Sequence, residues 1–191
     1  MKATLFASAA AATLVGLVAS TPIDARGEKW TAWKEEKSPF HFTSVYHVIA
    51  TPDQVINGTT STPGEPGAIG YYNYGINSEL DVICYNITLK GVTGGYQSAA
   101  KTATHIHEAA KGASGPPRIA FPNPLPISDD PNVVRRSVGC LTGPFETGIL
   151  SNGVDTGAGF MVKEIEENPA GFFTDAHTMK YVPGVVRGQL A

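Results

Sequence analysis

Charged residues are scarce in this sequence of 191 residues. Lys and Arg total 14, Asp and Glu total 17, and the formal net charge is only -3. There is no basic stripe for nucleic acid or for an anionic lipid surface, and the acidic residues form no long run. We therefore expect no nucleic-acid partner and no partner that is recruited by bulk charge.

Long apolar runs are missing after the first twenty residues. The run from Leu5 to Val18 follows the positive Met1-Lys2 and is too short to span a bilayer. It ends in small residues that suit signal peptidase. We predict a signal peptide over residues 1–20, a secreted and extracellular product, and no membrane-inserted segment.

Cysteine occurs only twice, at Cys84 and Cys140. In an oxidising compartment the simplest interpretation is one disulfide, and two unpaired thiols are the alternative. The bridge would close a loop of about 56 residues, which the chain-entropy model values at about 4 kcal/mol. With both cysteines in a bridge, no thiol remains for nucleophilic catalysis.

Sequence signatures of other enzyme classes are absent as well. The chain has no Gly-x-Ser-x-Gly elbow, no phosphate-binding loop, no dinucleotide fingerprint and no His-Glu-x-x-His helix. Acidic residues are scattered, and nothing marks two of them as a glycosidase pair. No established catalytic motif therefore identifies an enzyme.

From Phe40 onward, short runs of β-branched and aromatic residues alternate with Gly and Pro. This pattern is typical of an all-β antiparallel sandwich or barrel. Only Val162–Glu167 is expected to be helical, because Asn168-Pro169 would stop it. The segment Pro116–Cys140 carries six prolines, so we predict a long ordered loop there. The predicted strands are Thr43–Thr51, Ala68–Tyr74, Leu80–Leu89, Ala103–His107, Gly159–Val162, Phe173–Thr178 and Val185–Leu190.

The predicted sandwich domain covers residues 42–191, and residues 21–41 form an N-terminal arm. The arm contains Trp30 and Trp33. They could form a sugar-stacking surface, or they could belong to a lid that packs over one end of the sandwich.

Two N-glycosylation motifs are present, Asn57-Gly58-Thr59 and Asn86-Ile87-Thr88. We expect Asn57 and Asn86 to be exposed, with Asn57 in a loop. In the predicted strand Leu80–Leu89, Cys84 and Asn86 share one face. Because a glycan on Asn86 requires that face to be solvated, we expect Cys84 to tether the Pro-rich loop across the outside of a sheet.

Histidine provides the sharpest local pattern. In Thr104-His105-Ile106-His107, residues two apart on a strand point the same way, so His105 and His107 can converge on one ion. His177 lies in another predicted strand, with Asp175 two residues before it. Three imidazoles suit Zn²⁺ or Cu²⁺, and the carboxylate would be an orienting group or a further ligand. The alternatives are polar residues on a wet face and a His177 that bonds a loop carbonyl.

Four other residues have weaker patterns. His41 and His47 are the remaining histidines, and we expect His47 to be half-buried beside Val45 rather than a ligand. Arg187 and Gln189 alternate on the last predicted strand. They could hold an anion beside a metal, or Arg187 could pair with Asp175 or with a loop carbonyl.

Several of these motifs together resemble the CHRD domain, which occurs in chordin and in many secreted microbial and fungal proteins. The motifs are Gly67-Ala68-Ile69-Gly70, Thr104-His105-Ile106-His107, Gly115-Pro116-Pro117, Asp175-Ala176-His177-Thr178 and the closing Pro183-Gly184-Val185-Val186-Arg187-Gly188-Gln189-Leu190. The resemblance covers about residues 42 to 190, and it implies an extracellular, immunoglobulin-like Greek-key β-sandwich. It implies no general catalytic role.

A weaker similarity is to Cu/Zn superoxide dismutase, another Greek-key sandwich with a His-x-His copper strand and a closing strand that contains Arg. This similarity would make His105, His107 and His177 copper ligands and Arg187 an anion guide. The zinc-loop ligands have no match here.

Three functions follow from the sequence. The first is a secreted CHRD-type protein with a copper or zinc site at His105, His107 and His177. The second is a non-catalytic extracellular module that binds a protein or a glycan and whose histidines are structural. The third is a copper-only enzyme similar to superoxide dismutase.

Overall fold

The structure, a computed structural model, describes residues 40–129 and 134–191. The predicted signal peptide and most of the predicted arm, including Trp30 and Trp33, lie outside these ranges. None of the helices in the described ranges is long and apolar enough to cross a membrane.

The described chain forms thirteen strands and one short α-helix. In chain order the strands are β1 (Ser44–Ala50), β2 (Ile56–Asn57), β3 (Thr60–Ser61), β4 (Ile69–Asn77), β5 (Val82–Lys90), β6 (Thr104–Glu108), β7 (Pro117–Phe121), β8 (Leu125–Pro126), β9 (Val134–Thr142), β10 (Leu150–Ser151), β11 (Val154–Asp155), β12 (Phe172–Ala176) and β13 (Val186–Gln189). The helix α1 spans Lys163–Glu167, and short 3₁₀ turns cover Pro52–Gln54 and Pro169–Gly171. The predicted all-β class and its single short helix are confirmed.

Two antiparallel sheets form the body of the domain. The larger sheet has the order β1-β4-β5-β9-β8, and the smaller sheet has the order β13-β12-β6-β7. Strands β2 and β3, and strands β10 and β11, form separate two-stranded hairpins. The sheets meet at one edge, where the main chains of Thr51 and Arg187 exchange hydrogen bonds of 2.9 and 3.1 Å.

The core lies between the two sheets and is built by the alternation of side chains along each strand. In β5, Ile83, Tyr85 and Ile87 are buried, whereas Cys84 and Asn86 on the other face are half-buried. The smaller sheet contributes Ile106, Ile119, Phe121 and Val186 to the same apolar cluster. Removal of these side chains from water is the main stabilising contribution. The predicted division of β5 into an inner and an outer face is confirmed.

The Pro-rich segment contains more sheet than we predicted. Strands β7, β8 and the start of β9 all fall within residues 116–140. The prediction is wrong there because the prolines occupy positions that sheets accept: Pro117 begins β7, and Pro126 ends the two-residue edge strand β8. The loop is therefore shorter than the proline pattern indicated.

The disulfide joins Cys84 and Cys140, as predicted. It does not tether a loop, however, because Cys140 lies in β9 directly opposite Cys84 in β5. The bridge is thus a cross-strand link on the outer face of the larger sheet. The error followed from treating residues near Cys140 as a loop.

The predicted strand at Gly159–Val162 is absent, and this segment is a turn that leads into α1. Gly159 has a positive φ of 76°, which breaks an extended strand, and Phe160 and Val162 are buried in the core. The amide of Val162 donates to the Asp81 carboxylate at 2.8 Å. Helix α1 itself ends before Asn168-Pro169, as predicted.

Candidate metal centre

One face of the smaller sheet, pointing away from the core, carries a row of polar side chains. Strand register places His105 opposite Asp175, and Asp175 opposite Arg187. His107 and Gln189 lie two residues along on their strands and therefore share this face. His177 follows β12 directly, and its amide donates to the Ala103 carbonyl at 2.8 Å.

The carboxylate of Asp175 lies at the centre of three imidazoles. Its Oδ2 is 3.1 Å from Nε2 of His177 and 3.3 Å from Nε2 of His107, and its Oδ1 is 3.5 Å from Nδ1 of His105. One ligand atom from each of the four residues lies within 4.8 Å of all the others. The structure therefore brings the three predicted histidines together and gives Asp175 a central position.

The outward-facing nitrogen of each imidazole contacts a main-chain carbonyl oxygen. The pairs are His105 Nε2 with Thr102 at 2.7 Å, His107 Nδ1 with Gly115 at 2.8 Å, and His177 Nδ1 with Val182 at 2.8 Å. A carbonyl oxygen only accepts hydrogen bonds, so each of these nitrogens carries the ring proton. In a neutral ring the nitrogen that faces Asp175 is then a bare lone pair. The three inner ring nitrogens and the Asp175 carboxylate therefore all face the same small space.

This arrangement leaves buried polar atoms without partners. Nδ1 of His105, Nε2 of His107 and Oδ1 of Asp175 are buried and form no hydrogen bond. Such atoms cost free energy unless something else satisfies them. A tetrahedral metal with bonds of about 2.0–2.1 Å needs ligand atoms about 3.3 Å apart, which is close to the separations from Asp175 to the three rings. The residues therefore fit a divalent cation.

Burial and neighbouring charges shift the pKa values of these residues in opposite directions. Burial acts to raise the pKa of Asp175, but His107 and His177 outweigh it and hold that pKa well below its usual range. Burial lowers the pKa of His105 and favours its neutral form, the form that binds a metal. Burial also acts to lower the pKa of His177, but the Asp175 carboxylate raises it overall.

Comparison with known protein families identifies the family of this chain. Residues 46–190 match the CHRD domain, and this span contains nearly all of both sheets and the whole cluster. The chain belongs to the CHRD family. The comparison with curated proteins gave no match, and neither did the comparison with solved structures.

In this CHRD domain, an aromatic ring separates the cluster from a basic side chain. The ring of His107 stacks on Phe173 with centroids 4.8 Å apart and an angle of 4° between the planes. The guanidinium of Arg187 lies 3.5 Å from the centroid of the same ring, a cation–π contact. Phe173 was not among the predicted site residues, although its position two before Asp175 places it on the same face.

Arg187 and Gln189 line a cleft of about 420 Å³ together with Gln54 and Lys111. Gln189 Nε2 donates to the carbonyls of Ala109 and Ala170 at 2.9 and 2.8 Å, which fixes the orientation of its amide. Nη1 of Arg187 and Oε1 of Gln189 are buried without a hydrogen-bond partner. Arg187 makes no ion pair with Asp175, and Nη2 reaches the Ala110 carbonyl only at 3.5 Å.

The other predicted residues of the CHRD domain lie away from the cluster. His41 and His47 are exposed, so the half-buried environment predicted for His47 is wrong. His47 is on the outer face of the larger sheet, and its Nδ1 is 2.7 Å from Oδ1 of Asn73.

Asn57 is exposed, although it ends β2 next to a tight turn rather than lying in a loop. Asn86 is half-buried in β5 rather than exposed.

The carbonyls that orient the histidines were not predicted from the sequence. Gly115 presents one of them from a loop that closes over His107. A Cβ atom at Gly115 would lie 1.9 Å from the Glu108 carbonyl oxygen, so only glycine permits this approach. The Gly115-Pro116-Pro117 motif was the available signal, because it stands shortly after the His-x-His strand.

Proposed function

We propose that this chain is a secreted extracellular CHRD protein that holds one Zn²⁺ or Cu²⁺ ion at His105, His107, Asp175 and His177. The observation that carries the proposal is the set of three contacts between outer ring nitrogens and main-chain carbonyls. A carbonyl only accepts hydrogen bonds, so in the neutral rings the inner nitrogens face a buried carboxylate as lone pairs.

A proton between these four side chains would satisfy fewer of their polar atoms than a metal ion would. Protonated His177 could donate to Asp175, but Nδ1 of His105 and Nε2 of His107 would still lack partners. A divalent cation satisfies all four ligands at once and compensates the buried negative charge.

Zn²⁺ is the ion that this ligand set favours. Three imidazole nitrogens and one carboxylate oxygen complete a four-coordinate tetrahedral shell, which is typical of a structural zinc site. A redox or hydrolytic enzyme needs a position that stays open to the substrate. We therefore rank structural zinc above bound copper, and both above dismutase-like catalysis. When bound, the ion would link β6 to the end of β12.

Secretion is supported by three observations. The first twenty residues have the composition of a signal peptide, the domain contains a disulfide, and CHRD domains occur in extracellular proteins. Because the predicted signal peptide lies outside the described residues, the test is N-terminal sequencing of protein that a eukaryotic host exports.

A second candidate function is anion binding by the cleft at Arg187 and Gln189. The supporting observation is a buried guanidinium that has an unpartnered nitrogen and no carboxylate partner. Lys111 adds a second cation to the lining, whereas Asp53 opposes an anion there. Such a cleft would suit the acidic group of an extracellular protein or glycan. Titration with a sulfated and a carboxylated sugar, on wild type and on Arg187→Gln, tests it.

The test of the metal site is elemental analysis of protein that is purified without chelators and then dialysed against equal Zn²⁺ and Cu²⁺. We expect about one ion per chain, and a loss of most of it in His105→Ala and His177→Ala. His47→Ala is the matched control, because His47 is exposed and lies outside the cluster. A folded wild-type protein that retains no metal, or equal retention by all variants, would contradict the proposal.

A further inference from the structure

The outer face of the larger sheet has an apolar groove with a glycosylation motif inside it. The groove has a volume of about 420 Å³, and Asn86 is one of its lining residues. Phe42, Val45 and Val138 also line it and are 38%, 59% and 62% exposed. Apolar side chains that lie together and remain this exposed form a candidate binding surface.

Asn86 lies at the middle of this face. Strand register puts Asn73 on one side of it in β4 and Val138 on the other side in β9. Its Oδ1 accepts a hydrogen bond of 3.1 Å from Nε of Arg136. Its Nδ2, the atom to which an N-linked sugar is attached, has no hydrogen-bond partner among the described residues.

We propose that Asn86 carries an N-linked glycan and that the first sugars of this glycan cover the apolar groove. Attachment forms a bond from Nδ2 to the anomeric carbon of a sugar on a lipid pyrophosphate carrier. The bond from that carbon to the carrier breaks, the pyrophosphate leaves with the electron pair, and the amide loses one proton. This inference depends on the proposed secretion but not on the proposed metal.

The shape of the face favours the glycan over a second protein copy. The ring of Phe42 lies over Gly75, where an added Cβ would come within 2.8 Å of the ring. Aromatic and aliphatic side chains beside a bare glycine line the groove with apolar surface on which the C–H faces of sugar rings can pack. A glycan that grows from the centre of this face would also prevent another sheet from stacking on it.

The first measurement is glycopeptide mass spectrometry of the full chain exported by a eukaryotic host. We expect Asn86 to be occupied. Export with a bare Asn86 would overturn the glycan alone, whereas failure of export together with a bare Asn86 would overturn both the glycan and the proposed secretion.

The second measurement is binding of a hydrophobic dye and the oligomeric state in solution. Asn86→Gln and Thr88→Ala both remove the glycan, whereas Thr88→Ser keeps the motif. We expect about a twofold or larger rise in dye fluorescence in the first two variants and no change in the third. Asn57→Gln is the matched control, because Asn57 does not line the groove.

Enzymatic removal of the whole wild-type glycan from the folded protein gives a version of the test that does not depend on any substitution. Dye fluorescence should rise after the glycan is removed. Equal dye binding before and after removal would show that the glycan does not cover the groove. Self-association of the fully glycosylated chain through this face would identify a second copy as the occupant and would also overturn the proposal.

Discussion

Replacing Asp175 with asparagine tests how much of the domain's stability comes from metal binding, because it removes a proposed metal ligand and leaves the packing of the cluster almost unchanged. The side chain is almost completely buried, and its carboxylate contacts all three histidines. Asparagine has nearly the same shape but no charge, so packing is preserved while the anionic ligand is lost. The amide can also donate to one of the inward lone pairs, which the carboxylate cannot do.

The expected effect therefore depends on whether metal is present. An ion at 100 times its dissociation constant stabilises the wild-type protein by about 2.7 kcal/mol. For a domain of this size that corresponds to a rise in Tm of about 5–11 °C. Without metal, we expect Asp175→Asn to unfold within about 1 kcal/mol of wild type, because the new amide can donate to one of the inward lone pairs and so offsets the lost attraction between the carboxylate and the histidines.

The assay is thermal unfolding of wild type and Asp175→Asn, each with a chelator and with saturating Zn²⁺. His47→Ala is again the control and should show the full wild-type gain. Equal metal-dependent gains in wild type and Asp175→Asn would refute the assignment of Asp175 as a ligand. Strong destabilisation of Asp175→Asn in the presence of chelator would show that the carboxylate is a structural hydrogen-bond acceptor.

Two further predictions concern other parts of the domain. Joint replacement of Cys84 and Cys140 by serine should cost about 2–4 kcal/mol in urea unfolding, and an unchanged midpoint would show that strand pairing alone holds β5 to β9. Hydrogen bonds from the amide of Thr147, and from the amides of Gly157 and Gly148, lower the pKa of Asp155 from 3.8 to about 2. The lowered pKa stabilises the fold above about pH 4, and this stabilisation is lost as pH falls through about 2. Asp155→Asn should therefore lose about 1 kcal/mol at pH 7, after allowance for solvent screening, and only a small part of that at pH 2; a pH-independent difference would contradict this.

The sequence predicted the parts of the fold and of the site that follow from local periodicity. Alternation along β5 identified the inner and outer faces, because burial on one side imposes a period of two. The same period placed His105 and His107 on one face and aligned Asp175 with His177. Their convergence also required β6 and β12 to be neighbours, which the sequence could suggest only through the family resemblance.

The parts that the sequence did not predict depend on contacts between distant segments. Strand β7 begins with a proline, and only its pairing with β6 makes it a strand. The carbonyls of Thr102, Gly115 and Val182 come from three different loops. No sequence motif indicates which of these loops contacts which histidine ring. Main-chain groups have no sequence signature, so the tautomers of the histidines follow from the structure alone.

The four residues of the candidate metal centre come from strand β6, strand β12 and the residue that follows β12, and the two strands lie far apart along the chain. The centre therefore does not exist until those strands have paired, and pairing across such a long interval is a slow step in folding. Metal capture during refolding would report the moment when β12 docks on β6. Metal release from the folded protein would in turn report how often that pair of strands opens, a local event that unfolding of the whole domain does not resolve.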